Sequence, residues 1–405
     1  MIIDELPNLL HIRAFVRVAE HGSVSRASEA LYRAQSVVTR SIRDLEQRLE
    51  VPLFERHAGG MLLTEYGKHV LPRARRALEE LAQVPRLLGN VAGHAAEPLY
   101  LLNARRLALF IKLCETRHMQ TVATTFGLTQ PAVSTALKVL ESGSGCVLFE
   151  RSSRGLQPTR ASSDILLPIR RALNELRHID GDVAALRGSL LGAVTIGALP
   201  LGRSSILPKA IIRLTAAHPN IRIATNESPF DLLATELRAG DVDFIFGALR
   251  PHEFASDLQG EELLTEDMVV LARKGHPLSG RALDIADLER ARWVLPRAGS
   301  PARRLLDELF AQLGIAAPEP VVETGDLAMI RGLLLDSEMI AAVSAHQLLH
   351  EITSGELQQL QVQLPRTHRP IGLTYRVGGL HSPAAKALMA EIRQVINDRS
   401  VQANG

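Results

Sequence analysis

The chain has little of what several protein classes require. Two cysteines in 405 residues, Cys114 and Cys146, cannot make a disulfide framework and supply too few thiolates for a Cys-rich zinc module. No apolar run approaches the ~18 residues of a membrane span; the longest candidate, Gly188 to Gly202, is interrupted by glycines, Ser189, Thr195 and Pro200. Acids stand in Met1-Ile2-Ile3-Asp4-Glu5-Leu6-Pro7, where a secretory signal would carry a basic region and an apolar stretch. The motifs GxSxG, GxGxxG and the phosphate-binding loop are all missing. These absences exclude the membrane, collagen-like and disordered classes, leave little for an enzyme, and lead us to expect a cytoplasmic protein. What is present, 46% apolar and 22% charged residues, suits two or three globular domains.

The formal net charge of +2 conceals an asymmetry. Residues 1–90 hold 13 Lys/Arg against 11 Asp/Glu, 99–187 hold 12 against 7, and 188–405 hold 21 against 25. A basic front half suits a polyanion, and the acidic remainder implies a different task.

The front half is a repeat. Leu53-Phe54-Glu55-Arg56 returns as Leu148-Phe149-Glu150-Arg151, and the same offset of 95 gives 19 identities in 72 ungapped positions from 10 to 81. One register over that length marks a duplicated domain. In copy one, Ile12, Phe15, Val16 and Ala19 recur at helical spacing. Gly22 is placed to end that helix and Ser23 to cap a short second one. A third helix starts near Gln35 and buries Val38, Ile42, Leu45 and Leu49, which completes a helix-turn-helix. Its opposite face carries Ser36, Thr39, Arg40 and Arg43, with Arg33 just before it. Guanidiniums and hydroxyls in that row suit base edges and phosphates in a major groove; the plainer reading is a solvated helix face. The stretch from Arg56 to Thr64 reads as a hairpin, or wing, with Arg56 placed to meet phosphate.

Ala19-Glu20-His21-Gly22-Ser23, Ala27 to Leu31, Gln35 to Arg43, Leu45-Glu46, Leu53-Phe54-Glu55-Arg56, Thr64 and Gly67 together resemble the winged helix-turn-helix of LysR-type transcriptional regulators. In copy two, Leu128-Thr129-Gln130-Pro131-Ala132-Val133-Ser134 is similar to the entrance of that family's recognition helix. Family members usually have one such domain, so the duplication is a departure. The DNA-facing set that the resemblance implies is Ser23, Arg26, Arg33, Gln35, Ser36, Thr39, Arg40, Arg43 and Arg56 in copy one. In copy two it is Thr129, Gln130, Pro131, Ser134, Lys138, Arg151 and Arg154, with Arg160 beside the wing. Copy two has a better-capped helix start, with Thr129 as cap and Pro131 in the first turn, but a less charged reading face. Its Gly143 and Gly145 are expected to end the helix early, and it reads either as a second DNA contact or as a degenerate module kept for assembly.

Each copy then runs into a long helix. Leu71, Ala74, Leu78, Leu81 and Leu88 form one narrow seam, and Leu166, Ile169, Leu173, Leu176 and Val183 another, with breaks expected at Pro85 and Asp180. They resemble the linker helices through which family members dimerise. The two seams either pair within one chain or each pair with another chain.

From about 190, short β-rich runs at Ala193–Ile196, Ile221–Ala224, Phe244–Phe246, Met268–Leu271 and Ile340–Val343 alternate with helices, implying α/β layers around a mostly parallel sheet. Leu207-Pro208, Gly240-Asp241-Val242-Asp243 and Gly275-His276-Pro277-Leu278 resemble landmarks of the same family's effector-binding domain, similar to periplasmic binding proteins. Candidate ligand contacts beyond strand ends and at helix starts are Pro200, Arg203, Ser204, Ser205, Phe246, Arg297, Ser300, Thr324 and Ser344, with Arg203 and Arg297 suited to a carboxylate. The segment Arg369 to Thr374 resembles a branch that senses aromatic-ring catabolites or sugar-related acids. His346 and His350 have the i, i+4 spacing of a metal face, but no third ligand is indicated and no metal or cofactor is expected.

The expected fold is multidomain: two α-rich winged helix-turn-helix domains at 1–90 and 99–187, then an α/β two-subdomain effector-binding domain at 190–400. Its subdomains are placed at 190–270 plus 366–400 and at 271–365. The expected function is sequence-specific binding of double-stranded DNA, modulated by a small organic acid, in a homodimer or homotetramer that contacts RNA polymerase. The alternative is a small-molecule-binding module or α/β enzyme whose helix-turn-helix domains serve only for oligomerisation.

Overall fold

The computed structural model describes residues 6–57, 60–89, 97–152, 155–250, 256–362, 364 and 367–403, with side chains to 398. It divides into two compact units, one comprising the chain up to Gly192 with 238–241 and 380–384, the other the remainder.

The first unit contains the duplicated element order. Copy one runs α1 (Leu9–His21), α2 (Val24–Leu31), α3 (Gln35–Leu49), β1 (Phe54–His57), β2 (Gly60–Leu63) and α4 (Glu65–Leu87). Copy two runs α5 (Ala104–Thr116), α6 (Met119–Thr125), α7 (Gln130–Ser144), β3 (Phe149–Ser152), β4 (Gly155–Pro158) and α8 (Arg160–Leu186). The repeated residues are those that fix this backbone. Glu46 Oε1 accepts from the amides of Leu53 and Phe54 at 2.8 and 3.2 Å, and Glu141 Oε1 does the same for Leu148 and Phe149 at 2.9 and 3.4 Å. The rings of Phe15 and Phe54 lie 5.4 Å apart, and those of Phe110 and Phe149 5.9 Å. Each wing is tied to its first turn by a backbone bond, Met61 N–H to Gly22 O at 2.8 Å and Leu156 N–H to Arg117 O at 3.1 Å.

Among the described residues, three that bear side chains adopt the left-handed conformation: Tyr32, Glu50 and Arg117, at φ 52°, 55° and 57°. Their partners at the offset of 95 are Gly127, Gly145 and Gly22, at φ 61°, 67° and 64°. The same turn is thus kept in both copies, with glycine in one and a strained residue in the other.

The structure corrects the expectation for α7, which runs to Ser144 and equals α3 in length at 15 residues. Gly143 is inside the helix because Tyr100 packs on it: a Cβ there would stand 2.3 Å from Tyr100 Cγ. The long helices also continue where breaks were expected, α4 through Pro85 and α8 through Asp180. Ser23 is the N-cap of α2, but its side chain makes no capping bond.

The two seams pair with each other inside the chain. Leu71, Ala74, Ala77, Leu81 and Val84 of α4 share one buried core with Ile169, Ala172, Leu173, Leu176, Ile179 and Val183 of α8. The helices run antiparallel, since Arg76 faces Glu175 at 3.9 Å while Arg171 faces Glu80 at 3.7 Å. Those two ion pairs are exchanged by the offset of 95, the reciprocity of a two-fold interface. Beside them the buried Arg73 binds Glu175 at 2.9 Å and Asp182, and Arg48 holds Asp180 through two bonds of 2.8 and 2.9 Å. Burial, reinforced by Arg73 and Arg177, pushes His178 down to about 3.

The second unit contains two five-stranded sheets. Its elements are β5 (Gly192–Ala198), α9 (Pro200–Arg203), α10 (Ile206–Ala217), β6 (Ile221–Asn226), α11 (Phe230–Ala239), β7 (Phe244–Ala248) and β8 (Leu258–Glu266). They continue with β9 (Met268–Arg273), α12 (Ile285–Arg290), β10 (Arg292–Leu295), α13 (Pro301–Gln312), β11 (Val322–Glu323), α14 (Leu327–Leu335), β12 (Met339–Ser344), α15 (Leu349–Thr353), β13 (Leu357–Gln359), β14 (Arg369–Arg376) and α16 (Pro383–Ala403). The strand orders are β6-β5-β7-β14-β8 and β11-β10-β12-β9-β13. Both sheets are mixed and not mostly parallel: β5 with β7 and β10 with β12 are parallel, whereas β14 and β9 run antiparallel to their neighbours. The chain passes between sheets at Asp267, where β8 leads directly into β9, and returns before β14. Among the described residues no helix is long and apolar enough to cross a membrane.

Two stability outcomes follow from the first unit. In urea unfolding, Gly143→Ala destabilises by about 1–3 kcal/mol through the Tyr100 clash, despite alanine's better helix propensity. Glu50→Gly stabilises by about 1 kcal/mol by relieving the left-handed strain; a gain for the first or a loss for the second contradicts these contacts. The unfolded chain protonates His178 near pH 6.5 and the folded chain withholds that proton to about pH 3. Its contribution is therefore complete above 6.5 and declines as pH falls, by about 1 kcal/mol between pH 6.5 and 5.5. His178→Gln removes that part of the decline, measured as unfolding free energy across this range.

Candidate nucleic-acid interface and effector cavities

The buried stripe of α3, Val38, Ile42, Leu45 and Leu49, fixes which side meets solvent. Arg33, Gln35, Ser36, Arg40 and Arg43 are exposed and Thr39 is half-buried. Arg40 is 83% exposed, with Asp44 3.7 Å away. Arg26 is exposed on α2, Ser23 is half-buried at its start, and Arg56 is exposed on the wing strand. Gln35 is occupied: its Nε2 donates to Ser25 Oγ at 3.0 Å, bracing α3 on α2. Sequence reasoning missed Tyr32, which stands 94% exposed in the turn between those helices. Its signal was its register with Gly127, since a bulky residue at a left-handed turn position carries a cost that the scaffold does not require.

Copy two presents the corresponding surface with less charge. Thr129 caps α7 by accepting from Ala132 N–H at 3.4 Å, and Pro131 occupies the first turn. Gln130 and Lys138 are exposed, Ser134 is half-buried, and Arg151 and Arg160 are exposed at the wing; Arg154 lies outside the described residues. Cys114, on the α5 stripe, is half-buried and its thiol is pushed by burial up to about 12. That keeps it protonated and unreactive at neutral pH.

In the second unit the candidate contacts separate. Pro200, Arg203, Ser204 and Ser205 line one cavity of about 640 Å³, together with Asp326, Arg331 and His346. Arg203 lines it while its Nε donates to Ala198 O at 2.7 Å and its Nη2 to Glu227 O at 3.1 Å. Ser204 Oγ donates to His346 O at 3.0 Å. The other candidates have structural positions. Phe246 is fully buried beneath Gly202. Ser300 caps α13 by accepting from Arg303 N–H at 3.2 Å, and Thr324 Oγ1 accepts from Asp326 N–H at 3.1 Å. Ser344 is buried and donates to Glu266, and Arg297 is exposed away from the cavity lining. His346 Nδ1 lies 2.8 Å from Glu266, and no group of three metal-ligating side chains occurs among the described residues.

A second cavity, of about 670 Å³, lies among α11, β8, α13 and β14. Arg250, Arg304 and Arg369 line it, and sequence reasoning named none of them as a contact. Their roles depend on partners brought together by folding, which spacing does not reveal.

Two helix-turn-helix units on one paired scaffold, joined to a two-sheet domain with ligand-sized cavities, define a DNA-binding regulator that carries its own effector-binding domain. The model of the bacterial regulatory helix-turn-helix protein, lysR family, matches residues 9–68 and again 104–162, and the LysR substrate binding domain matches 187–397. The chain therefore belongs to the LysR family of transcriptional regulators. It is 67% identical over 400 residues to the HTH-type transcriptional regulator GalR of Pseudomonas putida, covering 99% of this chain and 100% of that one. It is 30% identical to GbpR of Azospirillum brasilense, over 72% of this chain and 86% of that protein. Among solved structures, full-length CbnR complexed with its target DNA matches with a TM-score of 0.54 at 21% identity, covering 72% of this chain and 99% of that one. A full-length OxyR variant from Pseudomonas aeruginosa matches with a TM-score of 0.55 at 21% identity, covering 72% and 94%; both are likenesses of fold. The relatives are regulators and not enzymes, which leaves the assembly-only alternative without support.

Proposed function

We propose that a single chain supplies both reading helices of an operator-binding pair, and that a small organic acid held in the C-terminal domain modulates DNA binding or promoter activation. The reciprocal packing of α4 on α8 is the observation that carries this reading, because it joins both copies in one unit. On this reading Arg33, Ser36, Thr39, Arg40 and Arg43 read one half-site, with Ser23, Arg26, Gln35 and Arg56 positioning them on the backbone. Thr129, Gln130, Pro131, Ser134, Lys138, Arg151 and Arg154 serve a second half-site of different sequence, since lysine and small hydroxyls replace the arginines. Acid binding shifts the population of effector-domain arrangements in a homodimer or homotetramer, altering the spacing or bend of the DNA presented to RNA polymerase. The setting is the bacterial cytoplasm.

Footprinting on the DNA upstream of the chain's own reading frame tests this with Arg40→Ala/Arg43→Ala and Ser134→Ala/Lys138→Ala. Each double variant is expected to leave a different segment unprotected. Removing one cation that meets a phosphate reduces the slope of log affinity against log salt by about one. An effect confined to the first variant makes copy two a scaffold. No protection by the wild type overturns the two-half-site reading.

A further inference from the structure

Among the described residues of the first unit, three positions carry a side chain at a left-handed turn where the other copy has glycine. Two of these side chains have a partner inside the chain. Arg117 Nη1 donates to Gln157 Oε1 at 3.1 Å, and Glu50 Oε2 lies 3.6 Å from Arg187 Nη1. Tyr32, at φ 52°, is different. Its side chain makes no hydrogen bond, ring contact or ion pair among the described residues, and it stands 94% exposed. The left-handed conformation is unfavourable for any residue with a Cβ, and Gly127 closes the same turn in copy two without that strain. The fold gains nothing from the phenol that offsets it. A strained side chain held clear of its own protein points to a use outside it.

The neighbours specify that use. Every residue from Tyr32 to Val37 is exposed, so the turn opens without interruption onto the first turn of α3. Arg33 N–H donates to Ser28 O at 3.0 Å and Gln35 Nε2 to Ser25 Oγ at 3.0 Å, so the ring is carried on a segment braced against α2. From Gly22 to Arg43 the chain holds four arginines, Arg26, Arg33, Arg40 and Arg43, against one acid, Glu29. Copy two has Gly127-Leu128 in place of Tyr32-Arg33, and Leu128 is half-buried against the core. Copy one thus presents a phenol and a guanidinium at the approach to its third helix, where copy two presents neither. Exposed aromatics also anchor protein interfaces, but four arginines around a single acid favour a polyanion. A phenol suits a nucleic-acid backbone, its hydroxyl as a neutral donor to a phosphate oxygen and its ring as cover for the sugar.

We propose that Tyr32 is a DNA-backbone contact of copy one, its hydroxyl donating to a phosphate beside the groove that α3 enters, and that copy two lacks this contact. This rests on the reading above in which copy one meets DNA through α3. Phosphate contacts carry no base information, so Tyr32 strengthens binding to operator and unrelated DNA alike. The phenol is neutral and displaces no counterion, so its removal leaves the slope of log affinity against log salt unchanged, unlike the removal of an arginine. The strain adds a second signature, since glycine at this position stabilises the free protein while weakening its complex.

The test measures the affinity of the full chain for the DNA upstream of its own reading frame and for an unrelated duplex, across a salt series, together with thermal unfolding without DNA. The variants are Tyr32→Phe, Tyr32→Gly and, for comparison, Arg40→Ala/Arg43→Ala. Tyr32→Phe keeps the ring and the strain but loses the hydroxyl, and is expected to bind both duplexes about tenfold more weakly at an unchanged Tm. Tyr32→Gly is expected to bind at least as weakly and to show a higher Tm than wild type. Both keep the wild-type salt slope, whereas Arg40→Ala/Arg43→Ala lowers it. Wild-type affinity in both Tyr32 variants, with the arginine variant weakened, overturns the contact and leaves the copy-one reading intact. Wild-type affinity in all three overturns that reading as well. Unchanged DNA affinity with altered transcription in Tyr32→Phe assigns the phenol to a protein partner and overturns the proposal. A lower Tm in Tyr32→Gly makes Tyr32 a structural residue and overturns it too.

Discussion

The antiparallel contact between α4 and α8 is the interaction on which the rest of the first unit depends. Each winged helix-turn-helix is small, and its own three helices enclose little volume. The shared seam merges the two cores into one, with Ala74, Ala77, Ile169, Ala172 and Leu176 fully out of solvent. Each large aliphatic side chain so buried contributes about 1.5–3 kcal/mol, which is how the pairing offsets the cost of ordering two long helices. The ion cluster of Arg73, Glu175 and Asp182 serves a different end. Desolvated charges add little net stability, but a displaced register leaves one of them uncompensated at a cost of several kcal/mol. The apolar seam supplies the adhesion and the buried charges fix the alignment.

The copies share a backbone and differ in what they show to solvent. Residues retained across the offset of 95, such as Glu46 and Glu141 or Phe15 and Phe110, close hydrogen bonds or pack rings inside each copy. Residues that differ, such as Arg40 against Thr135 and Arg43 against Lys138, lie on exposed faces. The residues kept across the offset build the interior and the differing ones lie on exposed faces, so one scaffold carries two different surfaces.

Much of this was legible in the sequence because it depends on period and offset. Helical stripes, the duplication and the second unit's apolar strands are local patterns, and Phe244–Ala248 and Met339–Ser344 occur where such runs stand. What escaped depends on contacts made at a distance. Strand β8, at a sheet edge, carries Glu261 and Glu262 and no continuous apolar run. Strand β14 contains Pro370, which ordinarily argues against a strand. Gly143 reads as a helix breaker until Tyr100 is seen against it. Arg203 braces two backbone carbonyls besides lining a cavity, whereas Arg369, buried with two unpartnered nitrogens, looks ordinary in the sequence. Which guanidinium is occupied and which still has donors to offer is decided by tertiary structure alone.

On the two-half-site reading proposed above, joining both domains in one polypeptide has a consequence for how the regulator responds to its own abundance. When two separate chains form a reading pair, the fraction of competent species falls with dilution, and a scarce regulator loses affinity for its operator twice over. Here the partner is tethered at an effective concentration set by the linker and not by expression. The α4–α8 pair therefore stays assembled at a few copies per cell. It also resists exchange: a chain from a paralogous regulator would have to displace a partner that cannot diffuse away, so mixed pairs are disfavoured without any dedicated specificity at the seam.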